Sequence, residues 1–233
     1  MSNKFVEIEL NNNTIPEYIV RTLLFTSLKK KVHLFSGNIL DVGCGEMPYK
    51  TYILDANKNV ISYLGIDLPS NEIRDTQIAD KVWDGKIIPF EDNSFETVIC
   101  TEVLEHCFDP ETILSEVYRV LKKGGVAYFT TPFAYPIHEA PFDAYRYTPY
   151  GLRYLFNKIQ FREIQIEALG GWESSMAQLI ALWYTKRKYK LIKHRISLFV
   201  VKKILSFLLK RDEPLTVLGD NEISLGFSTI VKK

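Results

Sequence analysis

Long uninterrupted apolar runs are missing from this 233-residue chain, and with them any segment that reads as a bilayer-spanning helix. The longest candidate is split by Lys202-Lys203 before it approaches the ~20 residues such a helix needs. Cysteine is scarce as well. Cys44, Cys100 and Cys107 are odd in number and show no paired spacing, which argues against a disulfide framework. The start Met1-Ser2-Asn3-Lys4 lacks the apolar run of a signal peptide, so a reducing cytoplasm is expected. Cys100, Cys107 and His106 have no evident fourth ligand, and Cys100 closes a buried strand, so no metal site is expected. An excess of one charge is also missing, since 29 Lys and Arg face 28 Asp and Glu. With 24% charged and 46% apolar residues, neither disorder nor a membrane-embedded chain is indicated. The length suits one domain with an elaboration.

The near-neutral total hides an uneven distribution. Residues 172–211 hold ten Lys or Arg against the single acid Glu173, a balance of +9 that leaves −8 for the rest of the chain. At helical spacing, Arg195, Lys202, Lys203, Ser206 and Lys210 share one arc, interrupted by Phe199. Ile196, Val200, Val201, Ile204, Leu205 and Leu208 fill the remainder. Such a broad apolar face with basic edges suits an anionic membrane interface or an acidic partner; an ordinary packed insertion with a solvated basic face is the alternative. No stacking platform or recognition motif accompanies the charge, so nucleic acid is not expected as a partner.

Strand and helix patterns alternate from residue 37 to 170, the signature of a parallel sheet covered on both faces. A leading helix is expected over 16–35, and strands over 38–42, 62–66, 95–100 and 125–130. Between the last two, Pro110 to Leu121 reads as an amphipathic helix stopped by Gly124-Gly125. Thr148 and Pro149 cap a helix to Lys158, followed by strands at Phe161–Leu169 and Ser224–Val231.

Ile39-Leu40-Asp41-Val42-Gly43-Cys44-Gly45 describes a buried strand ending in a backbone turn that a ligand can approach. Tyr63-Leu64-Gly65-Ile66-Asp67 reads as a second strand ending in an acid 22 residues after Gly45, the spacing at which an acid accepts from ribose hydroxyls. A nucleoside ligand follows. Pro48 stands where a pyrophosphate turn places its third glycine, which disfavours a diphosphate cofactor.

On these residues the chain resembles the class I S-adenosylmethionine-dependent methyltransferases, in the branch called the methyltransferase type 11 group. Further stretches match in family order: Asp84-Gly85 through Pro89-Phe90 into Phe95-Glu96-Thr97-Val98-Ile99, then Glu102-Val103-Leu104-Glu105-His106, then Arg119-Val120-Leu121-Lys122-Lys123-Gly124-Gly125. The resemblance implies S-adenosylmethionine as cofactor and a doubly wound, mostly parallel, seven-stranded α/β sheet, the Rossmann-like methyltransferase fold. Its final strand would insert antiparallel, preceded by a helical insertion. The expected division is a leading segment 1–36, a cofactor-binding core 37–171, a basic insertion 172–220 and a final strand within 221–233.

By the same resemblance Asp41, Gly43, Cys44 and Gly45 line the methionine and ribose part, and Asp67 with Leu68 meets the ribose. Asp84 with Gly85 receives the adenine, Asp80 being a rival, while Thr101 and Glu102 sit at the sheet's carboxyl edge. The stretch Pro132 to Pro149 follows the fifth strand, where a loop can reach over the methyl donor. Histidine titrates nearest neutrality, so His138 is the expected base; His106 competes, and Asp143 is a third candidate. Alternatively, His138 and Asp143 brace the loop while Arg146 pairs with Asp143.

The expected activity is O-methylation of a small-molecule, saccharide or lipid-linked glycan acceptor, at or near the inner membrane face. Methylation of a lipid or quinone ring is a second reading. A non-catalytic cofactor-binding scaffold is a third.

Overall fold

The structure, a computed structural model, describes residues 5–11, 13–69, 78–186, 191–213, 215 and 219–233, and for 191–197 the backbone alone. Helix α1 (Ile15–Lys31) leads into a short 3-10 turn and strand β1 (Gly37–Val42). There follow α2 (Lys50–Ala56), β2 (Val60–Asp67), β3 (Lys81–Val82), β4 (Phe95–Thr101), α3 (Pro110–Val120) and β5 (Leu121–Pro132). The chain continues through α4 (Pro149–Lys158), β6 (Arg162–Ala168), α5 (Trp172–Thr185), α6 (Leu191–Leu209) and β7 (Gly226–Lys232).

The seven strands form one sheet in the order β3-β2-β1-β4-β5-β7-β6. β1 pairs parallel with β2 and β4, and β4 parallel with β5, whereas β7 runs antiparallel to both β5 and β6. All strands except β7 therefore deliver their carboxyl ends to one edge, where α/β sheets bind ligands. Two-sided burial explains the apolar runs. One face of the sheet holds Leu40, Val42, Val98, Cys100 and Phe129 against α3 and α4, while the other places Ile39, Ile99 and Tyr128 with Leu28, Phe35 and Ile53.

Local caps fix the helix starts. Thr148 Oγ1 accepts from Gly151 N at 3.1 Å ahead of Pro149, and Asp109 Oδ1 accepts from Thr112 N at 3.3 Å ahead of Pro110. The stop of α3 differs from expectation. It ends at Val120, and Leu121 is already extended (φ −72°, ψ 134°), fully buried and paired with Phe95. Burial of Leu121 outweighs helix continuation, so β5 spans twelve residues instead of 125–130. Gly124 and Gly125 lie inside that strand, where a Cβ at 125 would come 2.8 Å from Lys122 O.

A third apolar cluster joins α1, α5 and α6 through Ile15, Ile19, Ala181, Tyr184, Val201 and Leu205. Asp212, just past α6, accepts from Gly171 N and Ser174 N at 3.2 and 2.9 Å, which returns the chain to the start of α5. Because α5 departs from the carboxyl end of β6, this helical layer begins at the ligand-binding edge of the sheet.

Candidate active site

The turn after β1 is shaped by Gly43 (φ +69°) and Gly45 (φ +51°), values that favour glycine. The two glycines serve different ends. A Cβ at 43 would come 2.4 Å from Val103 Cγ2, so that position is constrained by the turn after β4, and not by ligand space as the sequence suggested. A Cβ at 45 meets nothing within 4 Å and faces open space. Gly45 N donates to Asp67 Oδ2, and Leu68 N to Asp67 Oδ1, both at 2.8 Å. The turn and the end of β2 thus form one rigid cradle.

Asp41 and Cys44 are placed beneath this cradle. Asp41 is 2% exposed; its Oδ2 accepts from Tyr63 Oη at 2.6 Å, while Oδ1 is buried with no hydrogen-bond partner among the described residues. Burial pushes its pKa up to about 7 against the opposing effect of the Tyr63 hydrogen bond. Cys44 turns its sulfur toward Gly65, where it also donates to Gly45 O at 3.7 Å, and burial lifts the thiol to about 12.

Asp84 is exposed and accepts from Lys86 N and Ile87 N at 2.8 and 2.9 Å, capping its own turn. Asp80 accepts from Gly65 N at 2.8 Å beside β2. A Cβ on Gly85 would approach Leu68 Cδ2 at 3.0 Å, so the 84–85 turn abuts the end of β2. Both acids thus lie near that strand end.

Thr101 ends β4, and Glu102 follows it at φ +54°, its N–H donating to Thr130 O at 3.0 Å. One carboxylate oxygen of Glu102 is buried without a hydrogen-bond partner among the described residues, and burial raises its pKa to about 7 despite Thr130 and Arg146. Glu105 is more extreme. It is 0% exposed, neither oxygen has a hydrogen-bond partner among the described residues, and burial first, then Glu102, hold its pKa well above the carboxylate range. Sequence reasoning quoted Glu105 in its motif but gave it no role; an acid directly after the apolar Leu104 was the available signal.

His106 and His138 converge on this turn, with ring centroids 4.9 Å apart at 70°. Burial lowers the His106 pKa, which favours its neutral form. The loop after β5 is pinned in place. Ala144 N and Tyr145 N donate to Glu105 O at 2.8 and 3.2 Å, and Tyr147 Oη to Leu104 O at 3.0 Å. Arg146 grips Asp143 through two bonds of 2.5 and 2.7 Å and also donates to Tyr135 O and Pro136 O. Asp143 in turn accepts from His138 N at 2.9 Å. The Arg146 hydrogen bonds hold its carboxyl well below the usual range. With both oxygens engaged and its side chain 2% exposed, Asp143 stands as a brace in this geometry, the alternative weighed beside its catalytic assignment.

The sheet order with an antiparallel β7 and the Gly45–Asp67 cradle define the Rossmann-like methyltransferase fold. Residues 40–129 match the family described as "Methyltransferase domain", so this part of the chain carries a methyltransferase domain of the class I S-adenosylmethionine-dependent type. A ubiquinone biosynthesis O-methyltransferase of Coxiella burnetii is 27% identical over 149 residues, 61% of this chain and 61% of that protein, so the match spans about three fifths of the relative's length. Phosphoethanolamine N-methyltransferase 2 of Caenorhabditis elegans is 34% identical over 76 residues, 28% of this chain and 17% of that one. A SAM-dependent methyltransferase from Archaeoglobus fulgidus superposes with a TM-score of 0.56 at 17% identity, covering 91% of this chain and 94% of that one. The phosphoethanolamine N-methyltransferase 2 of Haemonchus contortus, in complex with S-adenosylhomocysteine, gives 0.57 at 16%, covering 100% of this chain and 61% of that one.

The residues present fit this cofactor. Gly45 leaves open space at the turn, Asp67 is aimed by two backbone donors, and Asp41 Oδ1 is a buried acceptor still lacking a donor.

Proposed function

We propose that the chain transfers a methyl group from S-adenosylmethionine to a hydroxyl oxygen of a saccharide or lipid-linked glycan acceptor. The observation that carries this reading is the placement of two functions on one edge of the sheet. The Gly45–Asp67 cradle ends β1 and β2, and the His106–His138 pair stands at the ends of β4 and β5.

The cofactor, when bound, supplies a methyl group already activated on a sulfonium. The chain's residues have the remaining work of holding the acceptor in line and helping its hydroxyl lose a proton. Gly43 and Gly45 shape the donor turn; Asp67 holds the ribose side; Asp41 Oδ1 offers a buried acceptor for a donor group of the ligand. The hydroxyl loses its proton at the His106–His138 pair, where burial keeps His106 neutral. Around that pair Phe108, Ile137 and Phe142 are exposed, apolar surface suited to a sugar face or an acyl tail.

A quinone ring is the second acceptor. The Coxiella relative is named for ubiquinone biosynthesis and for oxygen as the methylated atom, and the exposed apolar rim suits such a ring. Either acceptor would be met at a membrane surface, which the apolar outer face of α5 and α6 supports.

Incubation with methyl-labelled cofactor and fractionated extract, followed by product mass, tests the reading. Label in polar saccharides or glycolipids supports the first acceptor and label in quinones the second. Cofactor binding without S-adenosylhomocysteine release across all fractions would refute transfer. On the true acceptor, His138→Ala should lower turnover by about a hundredfold or more with cofactor affinity retained.

A further inference from the structure

The turn after β4 carries side chains that cofactor binding leaves unused. We propose that Glu105, His106 and His138 form a binding site for a divalent transition-metal ion, at the acceptor side of the active site. One ligand-type atom from each of the three lies within 4.8 Å of the others. Ligands about one ion bonded at ~2.1 Å stand up to ~4.2 Å apart, so small side-chain rotations close the site. His106 and His138 have room for them, their side chains being 20% and 28% exposed.

The independent observation is the state of Glu105. Its side chain is fully buried and neither carboxylate oxygen has a hydrogen-bond donor among the described residues. An ionised carboxylate in such a setting is costly unless a positive charge reaches it. The nearest imidazole nitrogen, His106 Nε2, stands 3.7 Å from Oε1, too far for a hydrogen bond. A cation between them would satisfy all three groups.

The surroundings orient both rings for this. His106 Nδ1 lies 3.3 Å from Phe142 O, and His138 Nδ1 lies 3.3 Å from Asp143 Oδ2. The Phe142 oxygen behind His106 Nδ1 holds the proton there and leaves that ring's Nε2 lone pair for ligation, as the outer partners of metal-bound imidazoles do. At His138 the guanidinium of Arg146 can donate to Nδ1 at 3.4 Å, so this ring is positioned between Arg146 and Asp143, and the Arg146 charge is matched by Asp143 through the two-bond fork. Two nitrogens and one oxygen suit Zn²⁺, Fe²⁺ or Co²⁺ better than Mg²⁺ or Ca²⁺. Three protein ligands leave a position for a further oxygen, and on the reading above that oxygen is the acceptor's hydroxyl. With the ion bound, the two histidines serve as its ligands in place of the proton-accepting role given them above, and the sequence expectation of no metal is replaced as well.

Chelator-stripped protein titrated with Co²⁺, followed by visible absorption, tests the site, with S-adenosylhomocysteine affinity measured calorimetrically on the same samples. The wild type should take up one equivalent with a d–d band. Glu105→Gln and His138→Gln should each weaken uptake by at least about tenfold while the homocysteine ligand still binds. If Glu105→Gln does not fold, His138→Gln on the loop decides alone. Absence of the band, or equal Co²⁺ affinity in wild type and His138→Gln, overturns the metal site. Loss of homocysteine binding in the wild type would instead overturn the cofactor assignment, so the two failures are distinct.

Discussion

Gly45 N donates to Asp67 Oδ2 at 2.8 Å, joining the turn after β1 to the end of β2 across 22 residues of sequence. Leu68 N fixes the second oxygen at the same distance, so the carboxylate is aimed before any ligand arrives. Preorganisation of this kind reduces the ordering cost of binding. Asp67→Ala should therefore weaken S-adenosylhomocysteine binding by about 1.5 to 3 kcal/mol, roughly tenfold to a hundredfold. Calorimetric titration measures it, and unchanged affinity would place the ribose elsewhere.

The two turn glycines should separate by what each replacement disturbs. Gly43→Ala drives a Cβ to within 2.4 Å of Val103 Cγ2, whereas Gly45→Ala adds its methyl to open space. Both carry the strain of positive φ, of order 1 kcal/mol. The expected outcome is a larger fall in melting temperature for Gly43→Ala and, relative to stability, a larger loss of cofactor affinity for Gly45→Ala. Equal effects on both measurements would contradict the division of roles.

How much of this was legible before the structure differs residue by residue. Spacing rules sufficed for the cradle, because a glycine turn and an acid 22 residues on are local signals tied to one strand pair. The Thr148 and Pro149 cap was equally visible. Elements without a strong period were not: α2 has seven residues with only Ile53 buried, and β3 is a two-residue exposed edge strand. Asp41 was read as lining the cofactor; the structure commits one of its oxygens to Tyr63 and leaves the other without a partner among the described residues, a division that the motif does not encode. Glu105 stayed without a role since its burial depends on Tyr147 and the 142–146 loop folding back over it from some forty residues away.

Asp41 makes stability depend on pH in an unusual direction. Its folded pKa of about 7 lies above the ~3.9 of an unfolded aspartate, so between these values the native state binds more protons. Stability should fall as pH rises through that window, by up to about 1.4 kcal/mol per pH unit. Asp143 acts oppositely but elsewhere. Its depressed pKa contributes stability that is present above ~3.9 and lost only as pH falls through the lower folded value. Urea unfolding between pH 5 and 7 should show a shallower decline for Asp41→Asn than for the wild type. Parallel pH profiles would show that Asp41 does not titrate there.

Arg146 should act on turnover through the loop it holds. Its fork on Asp143 and its bonds to Tyr135 O and Pro136 O fix the segment that carries His138. Arg146→Lys keeps the charge and loses the planar fork. Misplacement of the histidine pair should then cost about 10- to 100-fold in kcat, with S-adenosylhomocysteine affinity nearly unchanged. A variant with full kcat would show that the brace is dispensable.

The outer face of α5 and α6 should bind anionic vesicles. Trp183, Phe199, Val200 and Phe207 are exposed on it, in contrast to Val201 and Leu205, which are buried against α1 and α5. Basic groups border the aromatics: Lys203 Nζ lies 5.6 Å from the Phe199 ring centroid and Arg211 Cζ 4.7 Å from that of Phe207. No helix among the described residues is long and apolar enough to cross a membrane, so contact through this face would be peripheral. Each basic residue near an anionic surface contributes about 1 kcal/mol, an effect that fades as salt screens it. Arg187, Lys188 and Lys190 of the same basic segment lie outside the described residues, so the test uses Lys202, Lys203 and Lys210. Charge reversal at these three, and separately Phe199→Ser with Phe207→Ser, should each reduce co-sedimentation with phosphatidylserine vesicles while S-adenosylhomocysteine affinity stays the same. Wild-type protein that remains in the supernatant even at low salt would overturn the membrane reading of this face, and the acceptor would then be sought among freely soluble molecules.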